Sequence, residues 1–186
     1  NGALANNTTG FNNIAIGSKS MQSNKSGYSN TAVGQEALLS SIGNGNTALG
    51  YNALTATTSD YQTAIGFEAL LYNTTGRNNV SVGAFTLRSN KDGRDNTAMG
   101  NLSLTSNFNG FENTAIGSAS LNNNTSGNGN TGLGVKSLFG NKTGAQNIGV
   151  GFESLLNANS NYNVGIGTQS LYNTSSGQNN VGIGSF

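Results

Sequence analysis

The segment "ENTAIGSASL", residues 112–121, contains three features that decide the fold. A short run of alternating small and branched residues, Thr114 to Ile116, ends at Gly117, and Leu121 follows four residues later. Closely similar segments occur at 46–54 ("NTALGYNAL") and at 62–70 ("QTAIGFEAL"). A single copy predicts only a strand followed by a turn, whereas repeated copies predict a repeat architecture.

The glycine of this segment, here called the repeat glycine, recurs along the whole chain with a 17-residue period that occasionally shortens by one. Because its copies fill the chain, they leave no room for a separate globular domain. We therefore expect residues 1–186 to form a single repeat domain, which we interpret as a segment of a longer fibre. The eleven copies are Gly17, Gly34, Gly50, Gly66, Gly83, Gly100, Gly117, Gly134, Gly151, Gly167 and Gly184.

The residues around each repeat glycine follow a constant pattern. The residue before it is aliphatic in every copy, the residue two before it is Ala, Ser or Gly, and the residue three before it is Thr, Val or Ile. This alternation is typical of a strand, whose side chains point to opposite faces in turn. We expect the aliphatic residue to face the core and the small residue to lie outside. A Leu or Met four residues after the glycine predicts a second, short inward-facing strand.

A unit this short cannot bury its apolar side chains alone, but stacked units can. The sequence therefore predicts an all-β fold, a parallel β-solenoid or β-roll of about eleven 17-residue coils. An Asn four residues before the repeat glycine supports stacking, because amides can hydrogen-bond from coil to coil as a ladder. The predicted ladder comprises Asn13, Asn30, Asn46, Asn79, Asn96, Asn113, Asn130, Asn147, Asn163 and Asn180, with Gln62 in the remaining copy.

The composition narrows the possible functions. The chain has no Cys and no His, and its net charge is +1. Without those residues there is no Ser-His-Asp triad, no thiol nucleophile and no ordinary zinc or haem site, so we expect no enzymatic activity, no metal and no cofactor. A near-neutral chain lacks the basic patch of a nucleic-acid-binding protein. No apolar run is long enough to predict membrane insertion.

Two features of the sequence predict self-association. A column of small residues lets another backbone approach closely, and all 14 Phe and Tyr residues lie outside the strand and leucine positions, so they point away from the core of one chain. Rods with the same register along their length associate around a shared axis. We therefore expect a parallel homo-oligomer, most naturally a homotrimer.

Three aromatic residues, Tyr51, Phe67 and Phe152, directly follow a repeat glycine. Together with Asn52 and Glu68 they could contact a surface glycan, because sugars stack on aromatic rings and bond to amides. Packing of these rings between subunits is the favoured alternative.

The charged residues are unevenly distributed. One column, two residues after the repeat glycine, carries mixed signs and is expected to be a solvated face. One coil holds Arg88, Lys91, Asp92, Arg94 and Asp95, which predicts either a partner contact or, more favoured, a self-neutralising turn.

An ice-binding or other surface-binding solenoid is the alternative function, since stacked Thr residues could form a flat ladder. The Thr column three residues before the repeat glycine is interrupted by five aliphatic residues, which disfavours it. These are Ile14, Val80, Ile148, Val164 and Val181.

The repeated segment resembles a known family. "QTAIGFEALLYNTTG", residues 62–76, resembles the repeats of bacteriophage and large-virus tail-fibre proteins, and "IAIG" at 14–17 is similar to the head repeats of trimeric autotransporter adhesins, the YadA-like family. The 17-residue period favours the tail-fibre family. The resemblance implies a structural or adhesive fibre that attaches to a host or surface, located in a virion tail fibre or at the cell surface, with a homotrimeric β-roll and no catalytic residues.

Overall fold

A computed structural model describes residues 2–185 of the chain. It contains eleven parallel strands in one sheet, arranged in chain order, so each strand pairs only with the strands before and after it. Equivalent residues stack in register, as Ala98 does on Ala115. The all-β parallel solenoid predicted from the sequence is confirmed. The strands are β1 Ile14–Ile16, β2 Thr31–Val33, β3 Thr47–Leu49, β4 Thr63–Ile65, β5 Val80–Val82, β6 Thr97–Met99, β7 Thr114–Ile116, β8 Thr131–Leu133, β9 Ile148–Val150, β10 Val164–Ile166 and β11 Val181–Ile183.

The second strand predicted in each unit is wrong, because the chain forms overlapping turns there. In the first complete unit the Ser20 N–H donates to the Gly17 carbonyl at 3.3 Å, and the Asn24 N–H donates to the Met21 carbonyl at 3.1 Å. Lys19 and Met21 adopt positive φ angles of 58° and 48°. These turns curl the chain around a narrow interior and point the Leu or Met side chain into it.

The prediction that the aliphatic residue before the repeat glycine faces the core is also wrong. In β7 the small residue Ala115 is fully buried, whereas Ile116 is 37% exposed. The width of the interior explains this, because the leucines of the turns already fill it. A Cβ added at Gly165 would lie 3.0 Å from Leu155 Cγ, so the strand can bring only Ala, Ser or Gly inward.

The repeat glycine lies at a corner where successive coils approach closely. Gly100 has a φ of +118°, and a Cβ there would lie 2.7 Å from the carbonyl carbon of Gly117 in the next coil. A side chain at this corner would strain the backbone and separate the coils. The glycine therefore fixes both the bend and the coil spacing.

The ten predicted ladder asparagines and Gln62 form one continuous column of bonds inside the solenoid. In a typical step, Asn96 Oδ1 accepts from the backbone N–H of Asn113 at 3.0 Å and from its Nδ2 at 3.1 Å. Asn113 Nδ2 also donates to the Gly127 carbonyl at 2.8 Å. The amides thus satisfy backbone groups of the turns that the strand ladder cannot reach.

A second amide ladder lies seven residues after the repeat glycine, and the sequence reasoning missed it. Each of its asparagines donates from Nδ2 to Oδ1 of the one before, over distances of 2.7 to 3.1 Å. The two ladders meet on shared carbonyls, since the Gly93 oxygen accepts from Asn79 at 2.9 Å and from Asn90 at 3.0 Å. Its longest run is Asn73, Asn90, Asn107, Asn124 and Asn141.

The second ladder depends on coil length. In a 17-residue unit Asn90 bonds to the Gly93 carbonyl three residues ahead. In the shorter unit between Gly50 and Gly66, Thr57 holds this position, and its hydroxyl accepts from the Ser59 N–H two residues ahead at 3.1 Å. The three 16-residue units replace the Asn by Ser41, Thr57 and Ala158, and one 17-residue unit has Thr174.

Candidate functional site: the outward strand face and its aromatic edge

The outward side chains of the eleven strands form a continuous surface, here called the strand face. It consists of the residues one and three before each repeat glycine. Seven of its eleven aliphatic side chains are exposed, from 37% at Ile116 to 76% at Ile183 in the last strand, and the other four are half-buried. The column is Ile16, Val33, Leu49, Ile65, Val82, Met99, Ile116, Leu133, Val150, Ile166 and Ile183.

The strand face is large for an uncovered apolar surface. Eleven strands spaced about 4.8 Å apart, each about 10 Å wide, give an area of about 500 Å². None of its side chains is charged. Contiguous apolar patches of this size on soluble proteins usually mark an interaction site.

Beside this face lies an aromatic cluster, here called the aromatic edge, formed by Tyr51, Phe67 and Phe85. The rings of Tyr51 and Phe67 stack with centroids 5.3 Å apart, and Phe67 meets Phe85 edge-on at 5.2 Å. Tyr51 is 41% exposed and Phe67 is 45% exposed. The structure therefore brings together two of the three predicted aromatic contacts and adds Phe85, which the sequence reasoning did not single out.

The third predicted aromatic, Phe152, is not part of this cluster. It is 46% exposed and lies five coils beyond Phe67, about 24 Å along the rod. One small ligand cannot contact both rings. A surface that uses all three must extend along much of the solenoid.

Of the two polar residues predicted beside these rings, Glu68 is engaged within the chain. Glu68 Oε2 accepts from Arg88 Nε at 2.6 Å, and the Arg88 guanidinium also lies over the Tyr72 ring at 5.0 Å. The hydrogen bond to Glu68 raises the pKa of Arg88 above its ordinary value. Asn52 Oδ1 is buried. Because Glu68 is paired and Asn52 Oδ1 is buried without a hydrogen-bond partner, the aromatic edge is better suited to packing against another apolar surface than to sugar binding.

The charged residues of the coil at 88–95 make local contacts, among them an ion pair between Arg94 and Asp95 at 3.5 Å. Lys91 lies over the Phe108 ring at 5.5 Å, and Arg94 lies over the Phe111 ring at 4.5 Å. Asp92 Oδ1 accepts from the Thr75 hydroxyl at 2.6 Å. Elsewhere the column two residues after the repeat glycine forms ion pairs between coils, as between Lys19 and Glu36 at 3.2 Å. These contacts favour a solvated surface over a partner contact.

The Thr column considered for ice binding lies on the strand face beside the aliphatic column. Its residues are half-buried in most strands, as at Thr97 and Thr114. The aliphatic interruptions share this surface, since Val80 stacks between Thr63 and Thr97. A flat, continuous threonine array does not form, so the face is better suited to apolar packing.

Residues 2–185 contain no group of three or more His, Cys, Asp or Glu side chains that could hold a metal ion. The same part of the chain forms no helix that could cross a membrane. Comparison with known protein families, with curated proteins and with solved structures found no match for this chain.

Proposed function

We propose that this chain is a segment of a structural and adhesive fibre that assembles as a parallel homotrimer. The observation that carries the proposal is the strand face, an uncharged surface of aliphatic and threonine side chains that runs the length of the rod. Such a surface is stable in water only when it is covered. A second copy of the chain covers it best, because both copies have the same axial spacing of side chains.

The presence of two separate apolar surfaces favours three subunits over two. A twofold dimer uses one self-complementary patch, whereas a cyclic trimer brings two different patches of each subunit together. The chain offers the strand face and, beside it, the aromatic edge with Phe67 at its centre. In the trimer each aromatic edge packs against the margin of a neighbour's strand face.

The interior of the solenoid suits a rigid shaft. The first amide ladder and the strand hydrogen bonds run parallel to the rod and bind each coil to the next, and the second ladder adds bonds along its run from Asn73 to Asn141. The rod is about 48 Å long over its eleven strands. The resemblance to tail-fibre and adhesin-head repeats supports the proposal that this shaft belongs to a virion or a cell surface and contributes to host or surface attachment.

The mass of the assembly in solution tests the proposal. Light scattering during gel filtration should give three times the chain mass of 18.9 kDa. Replacing three residues of the strand face, Leu49→Lys, Met99→Lys and Leu133→Lys, should yield the single-chain mass, because buried unpaired charges are costly. All three side chains are between 41% and 46% exposed in one chain, so the fold tolerates the change.

A matched control introduces three lysines in the turns, outside the strand face. Ile42, Tyr72 and Phe108 are between 49% and 54% exposed, so Ile42→Lys, Tyr72→Lys and Phe108→Lys should leave the trimer intact. A wild-type mass of one chain contradicts the trimer. Equal loss of assembly in both triple variants contradicts the assignment of the interface to the strand face.

A further inference from the structure

A change in coil length opens a pocket on the surface of one chain. A 16-residue unit ends at Gly66 and a 17-residue unit follows it, so the coils are mismatched by one position at this step. Ser59 and Gly76 remain equivalent, because the carbonyl of each accepts a side-chain amide of the first ladder. Thr75, just before Gly76, is left without a counterpart in the shorter coil.

A pocket of about 400 Å³ lies at this mismatch, lined by Ser59, Asp60, Tyr61, Thr75, Arg77 and Asn78. This volume is in the range of small-molecule sites. We call it the step pocket.

Three side chains of the step pocket are free to bind. Tyr61 is 68% exposed and its ring lies against Gly45 of the preceding coil, which leaves much of the ring open. Within the described chain, Arg77 is exposed and its guanidinium has neither an ion pair nor a hydrogen bond. Asp60 uses Oδ1 to accept the Asn44 N–H at 2.7 Å. Its second oxygen is available to a ligand.

We infer that the step pocket binds an acidic saccharide, with the sugar carboxylate paired to Arg77 and the sugar ring stacked on Tyr61. A guanidinium binds a carboxylate through two parallel hydrogen bonds, which gives both charge and geometric selectivity. Asp60 Oδ2 accepts from a sugar hydroxyl. The inference rests on the proposed function, because an acidic saccharide would be a ligand for surface attachment. The pocket itself is formed by residues of one chain.

The chain contains an uncharged counterpart of this step. Another 16-residue unit ends at Gly167 and also precedes a 17-residue unit. There Tyr162 stands at the position of Tyr61, and Asn161 Oδ1 accepts the Ala145 N–H at 2.8 Å, as Asp60 does with Asn44. Gln178 stands at the position of Arg77. The two steps share their backbone bonds and differ in charge.

Titration of the whole chain with three sugars, followed by NMR and calorimetry, tests the inference. The two acidic probes are 3′-sialyllactose, which carries sialic acid, and trigalacturonate, which carries uronic acid. We expect one of them to bind one site per chain with a Kd of about 1 mM or below. Neutral lactose should bind at least about tenfold more weakly. Arg77→Gln should reduce binding of the acidic sugar about tenfold or more, whereas Lys25→Gln, which removes an exposed charge elsewhere, should not.

A gain of function sharpens the test. The double variant Asn161→Asp with Gln178→Arg should raise the stoichiometry from one to two sites per chain. A stoichiometry that stays at one, equal affinity for lactose, unchanged binding in Arg77→Gln, or no binding of either acidic sugar at about 10 mM overturns the inference. The assembly mass measured on the same samples shows separately whether the trimer has failed.

Discussion

Two aliphatic columns run the length of the rod, and they differ in burial. The leucines of the turns, such as Leu121, are fully buried inside the coil, whereas the aliphatic residues that end the strands, such as Ile116, lie outside and are substantially exposed. Both columns are almost unbroken in the sequence. Regularity alone therefore does not identify the core of a solenoid.

The difference shows how coil size determines the use of a hydrophobic column. A coil of this length encloses space for one large side chain per turn, and the leucine occupies it. The second aliphatic column must lie outside, where only another molecule can bury it. The inner column stabilises the single chain, and the outer column is available for the assembly proposed above.

Truncation of one residue in each column should produce the largest contrast. Leu121→Ala should lower the free energy of unfolding by about 2 to 5 kcal/mol, because it leaves a cavity in a closely packed interior. Ile116→Ala should cost less than about 1 kcal/mol in the dissociated chain, since this side chain is partly solvated there. Urea denaturation followed by circular dichroism measures both changes.

Those measurements should be made in the Leu49→Lys, Met99→Lys and Leu133→Lys background, which removes the contribution of assembly. In the assembled wild type, Ile116→Ala should also raise the concentration that the subunits need to remain associated. Equal losses of stability for the two variants in the dissociated chain would contradict the placement of these columns.

Substitution of an asparagine in the second amide ladder should lower the free energy of unfolding by less than Leu121→Ala does. Asn107 donates to Asn90 at 2.7 Å and to Gly110 at 3.0 Å, and accepts from Asn124 at 2.8 Å. Asn107→Leu keeps the branched shape of the side chain but leaves these buried groups unpaired, so we expect a cost of about 1 to 3 kcal/mol. Hydrogen exchange should show the loss of protection in the two adjoining coils.

A control for this variant lies two residues away. Asn109 is exposed, so Asn109→Leu should change the free energy of unfolding by less than about 0.5 kcal/mol. Similar effects of the two substitutions would show that the ladder bonds contribute nothing beyond a surface amide.

The smallest effect is expected on the outer surface, at the ion pair between Glu68 and Arg88. Their side chains are 16% and 33% exposed, and such pairs contribute about 0 to 1 kcal/mol. A double-mutant cycle with Glu68→Gln and Arg88→Gln should give a coupling in that range, and NaCl at about 1 M should reduce it. A coupling energy above about 2 kcal/mol would show that this pair behaves as a buried ion pair and would contradict its assignment to the outer surface.

The fold class could be predicted from the sequence because stacking requires identical positions to recur, and the repeat glycine marks each recurrence. The orientation of the strand could not, because an alternating pattern defines two faces without saying which is inside. The narrow space between strand and turn decides it, since a Cβ added at Gly165 would lie 2.7 Å from Ser154 Oγ and 3.0 Å from Leu155 Cγ, and this space depends on how the turns curl. Positive φ angles at residues such as Met21 and Leu38 gave no sequence signal, since Leu rarely adopts them.

Prediction of the candidate sites was limited in a similar way. Tyr51 and Phe67 hold the same position in successive coils and their stacking follows from the coil period, but Phe85 is offset by one position and joins them only through its turn. The second ladder had a visible signal, an Asn seven residues after most repeat glycines. It was obscured because the 16-residue units lack this Asn.

The strict order of the sheet, in which each strand contacts only its immediate neighbours, has a consequence for how such a chain can change during evolution. Duplication or loss of one whole unit alters the length by about 4.8 Å and leaves every remaining type of contact in place. Genes of this kind can therefore vary the length of the solenoid in discrete increments. The length of the solenoid can thus change between generations while the fold of each coil stays the same.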